Sequence, residues 1–293
     1  MAEKKIKVSV IIVNYNTPEL TKECVDSILG NTKDINFEII IIDNASKQKV
    51  KKSDKYELIH STTNLGFAGG NNLGIAKSRG EYVLLLNSDT KLKDNVIEHM
   101  CDWMDNHVKV GIATCKLIGT DGKTQSPGGS FPSLLKIASW MTIEDLPYVD
   151  KLIKPFHPKD ASYDKAIEMD WITGTFFLIR RKVIDQIGML DEDYFMYTEE
   201  VDFCYRAGQK GWGMWHIPEW SITHYGKASS NNEFALTNEF KGIKTFYKKH
   251  HPEWQLLAVR FFLKLGSLLR IIAFTLVNKN DIAKIYVKTF KIA

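Results

Sequence analysis

Four apolar residues, Val83, Leu84, Leu85 and Leu86, run straight into Asn87-Ser88-Asp89. A run of this kind reads as a buried parallel strand. A polar triplet at the carboxyl end of such a strand stands where α/β sheets bind ligands. The Asp89 carboxylate there suits a hard divalent cation held through oxygen, Mg²⁺ or Mn²⁺, which shares its other positions with substrate phosphates. The same triplet also fits a helix cap or an Asx turn.

Other groups point to the same edge. Asp43 ends a second apolar strand, residues 37–42, so Asp43 and Asp89 are expected to project together; Asp43 as a simple turn former is the alternative. The stretch Asn64-Leu-Gly-Phe-Ala-Gly-Gly-Asn-Asn72 follows a third strand. Its Gly66, Gly69 and Gly70 either open a helix whose N–H groups meet a phosphate or let a helix pack closely on the sheet. Dinucleotide binding is disfavoured, because here the acid precedes the glycines and G-x-G-x-x-G is absent, as is a P-loop. Glu199-Glu200 lies downstream of Asp191-Glu192-Asp193 and beside Tyr194, Phe195 and Tyr197. Two adjacent carboxylates repel, so one can keep a raised pKa and act as a general base; an acidic first helical turn is the alternative. His224, after the strand-like Trp220-Ser-Ile-Thr223, could complete an ion site with Asp89 or serve structure alone.

The elements that must position these groups follow from periodicity. Residues 6–13 are β-branched and form a first strand; Thr17 and Pro18 start a helix that stops at Gly30. Strands over 37–42 and 56–60, a helix from the glycine stretch to about Ser78, and the strand before Asn87 give a β-α-β-α-β-α-β rhythm, that of a doubly wound sheet. A helix over 94–106, a strand over 111–118 and a hairpin turn at Thr120-Asp-Gly-Lys123 follow. Residues 126–168, with Pro127, Pro132, Pro147, Pro155 and Pro158, read as an irregular insertion covering a substrate. A strand over 171–179, helices over 182–187 and 197–207, a strand over 212–217 and helices over 233–250 and 254–277 complete the chain.

At 293 residues with 44% hydrophobic content, the chain can bury a large core. The net charge of +4 is unevenly spread: residues 241–293 hold eleven Lys and Arg against two acids. The body is therefore acidic, which argues against nucleic acid as a partner and for a tail that meets an anionic surface. Cys24, Cys101, Cys115 and Cys204 are scattered, which fits a reduced, cytoplasmic protein and neither a zinc ribbon nor a disulfide framework. The N-terminus carries no signal-peptide pattern.

Taken together these motifs resemble a family-2 inverting glycosyltransferase of the GT-A fold, over about residues 6 to 230. Val8-Ser-Val-Ile-Ile-Val-Asn-Tyr-Asn16, Ile42-Asp-Asn-Ala-Ser46 and the glycine stretch to Asn72 match its nucleotide-binding half. Leu86-Asn87-Ser88-Asp89 stands where the family has Asp-x-Asp. Gly174-Thr-Phe-Phe-Leu-Ile-Arg-Arg181 and residues 191–206 match its acceptor half. The glycine stretch and the ending His224-Tyr-Gly-Lys-Ala-Ser229 are most similar to bacterial rhamnosyltransferase-like members, which build O-antigens and other cell-surface polysaccharides.

The resemblance implies an α/β catalytic domain over 1–232, divided into a nucleotide-sugar half (1–118) and an acceptor half (119–232), and a basic helical region over 233–293. It implies a dTDP- or UDP-linked sugar donor and a glycan or lipid-linked acceptor. Tyr15, Asn16, Asp43, Asn64, Gly66, Asn72, Asn87 and Ser88 would bind the donor. Asp89 and His224 would hold Mg²⁺ or Mn²⁺, with Asn87 replacing the family's first Asp. Glu200 would be the base where most relatives have Asp, with Glu199 as its rival. Trp171, Gly174 and Asp191 would shape the sugar and acceptor pocket. The departures at Asn87 and Glu200 motivate a second reading, a non-catalytic nucleotide-sugar-binding or scaffold subunit. Residues 252–293 lack a spanning stretch and fit a basic helix on the inner face of the membrane, a helix packed on the catalytic domain, or a homodimer contact.

Overall fold

The computed structural model describes residues 5–144, 149, 153, 155, 156, 158, 163–226 and 232–293. Pro147 and, from the His224 motif, Lys227, Ala228 and Ser229 lie outside the described residues.

The β-branched opening forms β1 (Val8–Asn14), and Pro18 begins α1 (Pro18–Asn31). Thr17 stands at the cap position, but its hydroxyl turns to Asn14 and Ser88 instead of capping. β2 (Phe37–Asn44), β3 (Glu57–Ser61), α2 (Gly66–Lys77) and β4 (Tyr82–Leu86) follow. The expected strict alternation fails once: residues 45–56, rich in lysine and without apolar period, form no helix between β2 and β3.

A mixed sheet runs in the order β3-β2-β1-β4-β11-β6-β12-β5, where β5 is Thr90–Leu92, β6 Val110–Ile118, β11 Phe176–Arg180 and β12 Gly213–His224. The half from β3 to β4 is parallel; β11 lies antiparallel between β4 and β6, and β12 runs parallel to β6 and antiparallel to β5. Strand alternation sends Ile11, Ile40 and Leu85 into one core and Val10, Ile12, Ile41 and Leu84 into the other. The second core is covered by α1 and α3 (Val96–Asn106). All four cysteines are buried, and burial pushes their thiol pKa values up, that of Cys24 to about 12.

Three expected elements take a different form. The strand over 171–179 is two pieces, because Trp171 and Ile172, as β10 (Trp171–Ile172), leave the sheet to pair with β8 (Gly128–Gly129). A Cβ on Gly128 would lie 2.0 Å from the Trp171 carbonyl oxygen, so only glycine permits that pairing. The pieces at 212–217 and 220–223 are one strand, β12, with a register shift between Ile217 and Ser221. The Pro-rich insertion contains α4 (Leu134–Thr142), capped by the Ser133 hydroxyl, which accepts from Lys136 N–H.

Hairpin strand β7 (Thr124–Gln125) returns on β6 through Gly122, at φ +80°, and β9 (Ile167–Met169) pairs with β12. After α5 (Arg181–Ile187) and α6 (Glu199–Gln209), the chain ends in α7 (Asn232–His250), α8 (Glu253–Leu276) and α9 (Asn280–Ile292). The last helix is absent from the sequence expectation. Phe240, Ile243, Phe246, Tyr247, Val259 and Leu263 of α7 and α8 belong to the same core as Ile11 and Leu85.

α2 approaches β1 closely. A Cβ on Gly74 would sit 2.4 Å from Ile11 Cγ2, and one on Gly70 3.1 Å from Val13. Closer packing, not chain reversal, therefore explains the glycines inside this helix. Gly74→Ala should overpack the interface and cost about 1–3 kcal/mol. Urea unfolding checks this: the midpoint should fall at unchanged m, and an unchanged midpoint would show that α2 stands off the sheet.

Candidate active site

The donor edge is built on Asn14, the last residue of β1. Its Nδ2 donates to Asp43 Oδ1 (3.1 Å) and Ser46 Oγ (2.9 Å), and its Oδ1 accepts from Thr21 Oγ1 (2.9 Å). Asp43 is 1% exposed. Its Oδ2 meets His60 Nδ1 at 3.1 Å. Burial alone would raise its pKa, but hydrogen bonds from Ser46, His60 and Asn14 outweigh that and hold the carboxyl below its ordinary range. Asn44 beside it does what sequence reasoning missed: Nδ2 donates to Asn64 Oδ1 and Gly66 O, and Oδ1 accepts Leu65 N–H.

Gly66 stands at φ +71°, and a Cβ there would lie 1.9 Å from the Phe195 carbonyl oxygen. Three N–H groups at the start of α2 are taken: Leu65 by Asn44, Gly66 by Asn64 Oδ1 and Phe67 by Phe195 O. Those three are not open to a phosphate here; through Phe67 and Phe195 the turn clamps the loop that leads to Glu199.

β4 delivers Asn87, Ser88 and Asp89. Asn87 N–H donates to Thr175 O (3.0 Å), and Ser88 Oγ contacts Thr17 Oγ1 (3.2 Å). Antiparallel pairing sets His224 opposite Thr90, so His224 Nε2 reaches Asp89 Oδ1 at 3.3 Å. Gln125 of β7 fixes the imidazole. Its Nε2 donates to the His224 carbonyl (3.2 Å), which turns its Oε1 to His224 Nδ1 at 2.6 Å. Nδ1 therefore carries a hydrogen, and in the neutral ring Nε2 turns a lone pair toward Asp89. Two electron-rich groups so placed suit a cation between them. Among the described residues no group of three or more His, Cys, Asp and Glu side chains gathers around such a position. The residues present fit an ion with two protein ligands and substrate oxygens.

The acidic pair is held by strain. α6 begins at Glu199, not at Tyr197, because Tyr197 and Thr198 take left-handed angles, φ 69° and 75°. Gly242 of α7 presses on them: a Cβ there would fall 2.4 Å from Thr198 Oγ1 and 2.9 Å from Tyr197 O. Glu199 is 4% exposed, and its Oε2 has no hydrogen-bond partner among the described residues. Burial first, and the neighbouring Glu200 charge second, push its pKa well above the ordinary carboxylate range. Glu200 is more exposed. Of the two carboxyls, Glu199 is therefore the one driven toward its neutral form.

These groups line one cleft of about 580 Å³, together with Tyr15, Asn64, Gly66, Asn87, Ser88 and Gly174. Sequence reasoning missed Asn44, Phe67, Asn71, Thr175 and Phe234 on its wall. Five expected site residues are not on the wall. Asn16 Oδ1 accepts Lys47 N–H. Asp43 lies beneath the rim. Asn72 grips Leu190 and Glu192. Asp191 pairs with Lys249. Trp171 is a core aromatic, 5% exposed, with Nε1 donating to Ser130 O (3.0 Å). A second depression, about 590 Å³, opens at the opposite edge by Arg79 and Arg181, where Lys5 and Arg79 already pair with Glu81 and Glu38.

Comparison with known proteins decides the family. The model of "Glycosyl transferase family 2" matches residues 9–188. The chain belongs to that family. Among curated relatives, the low-salt glycan biosynthesis hexosyltransferase Agl10 of Haloferax volcanii is 29% identical over 68% of this chain and 61% of its own length. The N-acetylglucosaminyl-diphospho-decaprenol L-rhamnosyltransferase of Mycobacterium tuberculosis is 24% identical over 88% of this chain and 89% of its own. The curated relatives of this glycosyltransferase thus include a hexosyltransferase and a rhamnosyltransferase. Among solved structures, GalNAc-T7 with UDP, GalNAc and Mn²⁺ superposes with a TM-score of 0.61 at 15% identity, over 90% of this chain and 51% of that one. That likeness establishes the GT-A fold of this glycosyltransferase.

The buried Glu199 makes the enzyme's stability depend on pH. A carboxyl whose pKa rises on folding stabilises fully below the unfolded value of about 4.3, and that contribution is lost as pH rises through the raised folded value. Glu199→Gln, a neutral isostere, should remove this loss. The melting temperature of the variant should gain on the wild type as pH is raised from about 5 to 9; parallel curves would show that Glu199 is not held protonated.

Proposed function

We propose that this glycosyltransferase moves a sugar, such as rhamnose, from a dTDP- or UDP-linked donor to a hydroxyl of a glycan or lipid-linked acceptor, with inversion, in cell-surface polysaccharide synthesis. The observation that carries the reading is that Asp89–His224 and Glu199–Glu200 line one cleft. Residues 1–118 would supply the nucleotide-sugar side, 119–232 the acceptor side, and 233–293 a buttress. The names of the relatives support the substrate class: one acts on a decaprenol-linked N-acetylglucosamine, and a fold neighbour holds UDP and Mn²⁺.

Tyr15 at the rim, Asn64, Asn87 and Ser88 are assigned to the nucleoside diphosphate. His60 is half exposed, so a ribose hydroxyl can replace it on Asp43 Oδ2. Asp89 and His224 Nε2 would hold Mg²⁺ or Mn²⁺. An ion bound there supplies Lewis-acid stabilisation of the charge that develops on the leaving diphosphate. Glu200 accepts the proton of the acceptor hydroxyl as that oxygen attacks the anomeric carbon. Glu199, neutral beneath it, keeps the local negative charge to one, so Glu200 stays ionised. Gly174 and Thr175 border the sugar, under Phe67, whose ring a Cβ on Gly174 would meet at 2.7 Å.

Release of nucleoside diphosphate from dTDP- and UDP-sugars, with Mn²⁺ and candidate acceptors, tests the roles. Glu200→Gln should lower kcat about 10²–10⁴-fold, while Glu199→Gln should leave it within about threefold, because Gln reproduces the neutral acid. The reverse pattern would move the base to Glu199. Binding of donor with no turnover under any acceptor would contradict the transfer reading.

A further inference from the structure

Helix α8 is apolar on two opposite sides. Val259, Leu263 and Gly266 are buried, with Gly266 pressed on Met141 of α4. On the other side Trp254, Leu257, Phe261, Leu268, Ile272 and Leu276 share one face at steps of three, four or seven residues, with Lys264 between them, and are between 45% and 78% exposed. A helix apolar all round is ordinarily covered, and a contiguous exposed stripe of this kind marks an interaction surface. At 24 residues α8 is about 36 Å long. Yet among the described residues no helix is long and apolar enough to cross a membrane.

Charge selects what covers the stripe. Arg260 and Lys264 stand exposed along one flank, and the outer side of α9 carries Lys284, Lys288 and Lys291 around Val287. Lys284 and Lys288 meet Asp281 and Glu233 only in exposed ion pairs, which contribute little. Arg260 and Lys264 would be brought close to their copies if a second copy covered α8. An anionic lipid surface takes up the same apolar stripe and neutralises the same cations.

We infer that the outer face of α8, with the lysines of α9, docks the enzyme on an anionic bilayer, α8 lying in the headgroup plane. The preceding helix, α7, supplies Phe234 to the cleft wall, which ties the docking unit to the active cleft. This names the partner of the transferase proposed above, but its test needs no donor or acceptor, so failure of docking and failure of transfer are separately visible.

The experiment is flotation of the full chain with vesicles of phosphatidylglycerol and phosphatidylethanolamine, against vesicles of phosphatidylcholine alone, with light scattering of the chain without lipid. Binding should require the anionic lipid and weaken with salt. Arg260→Gln with Lys264→Gln should lower partitioning about thirtyfold, roughly fivefold per charge. Phe261→Asp with Ile272→Asp should abolish it while the melting temperature holds, since both positions face solvent. No flotation with anionic vesicles, flotation untouched by the Phe261→Asp and Ile272→Asp pair, or a dimer that this pair dissolves would each overturn the inference.

Discussion

Asp89 Oδ1 and His224 Nε2 are 3.3 Å apart, two atoms of the kind a hard divalent cation takes as ligands. The strand pairing is what brings them together. β4 ends at Leu86, so Asp89 emerges at the carboxyl edge, and β12 must shift register between Ile217 and Ser221 to reach β5 and set His224 opposite Thr90. Gln125 then removes the imidazole's freedom to rotate or change tautomer by holding both Nδ1 and the residue's own carbonyl. Two ligand atoms held in fixed orientation at the cleft are what make it receptive to a cation and its diphosphate.

The opposite wall depends on a second constraint of the same kind. Tyr197 and Thr198 adopt a backbone that side chains other than glycine rarely take, costing on the order of 1–3 kcal/mol each. The loop persists because it is pinned from two sides: Gly66 admits the Phe195 carbonyl, and Gly242 admits Thr198. Glu199 and Glu200 follow directly, at the first turn of α6. Helix α7 thus belongs to the site's support and not to a detachable tail, which is why its Phe240, Phe246 and Tyr247 share the core of β1 and β4.

Much of this was legible before any coordinates. Asn87, Ser88, Asp89, His224 and the glutamate pair were readable because strand ends and charged pairs leave strong local signals, and the structure gathers them in one cleft. Residues such as Asn72, Asp191 and Trp171 share those motifs but serve as clamps and core, since a motif records which residues recur together and not which of them face solvent. Asn44 and Phe67 lie within quoted motifs but nothing local marks their roles, and Gln125 lies in none: each acts through a partner 20 to 107 positions away along the chain. The break at Thr173-Gly174-Thr175 does show in the sequence as a polar, glycine-bearing interruption between Ile172 and Phe176, the kind of signal that ends a strand. Prolines on either side of α4 obscure its helical period, whereas α9 carries one, with Lys284, Lys288 and Lys291 on a single face.

Titration of Mn²⁺ into the chain, followed by electron paramagnetic resonance with and without dTDP or UDP, tests the central claim most directly. The account predicts one site, tightened by the nucleoside diphosphate. Asp89→Ala and His224→Ala should each abolish it, and Gln125→Leu should weaken it about 10–100-fold, as expected when a ligand's orienting partner is removed. Mn²⁺ affinity that is the same in the wild type and in all three variants would contradict it.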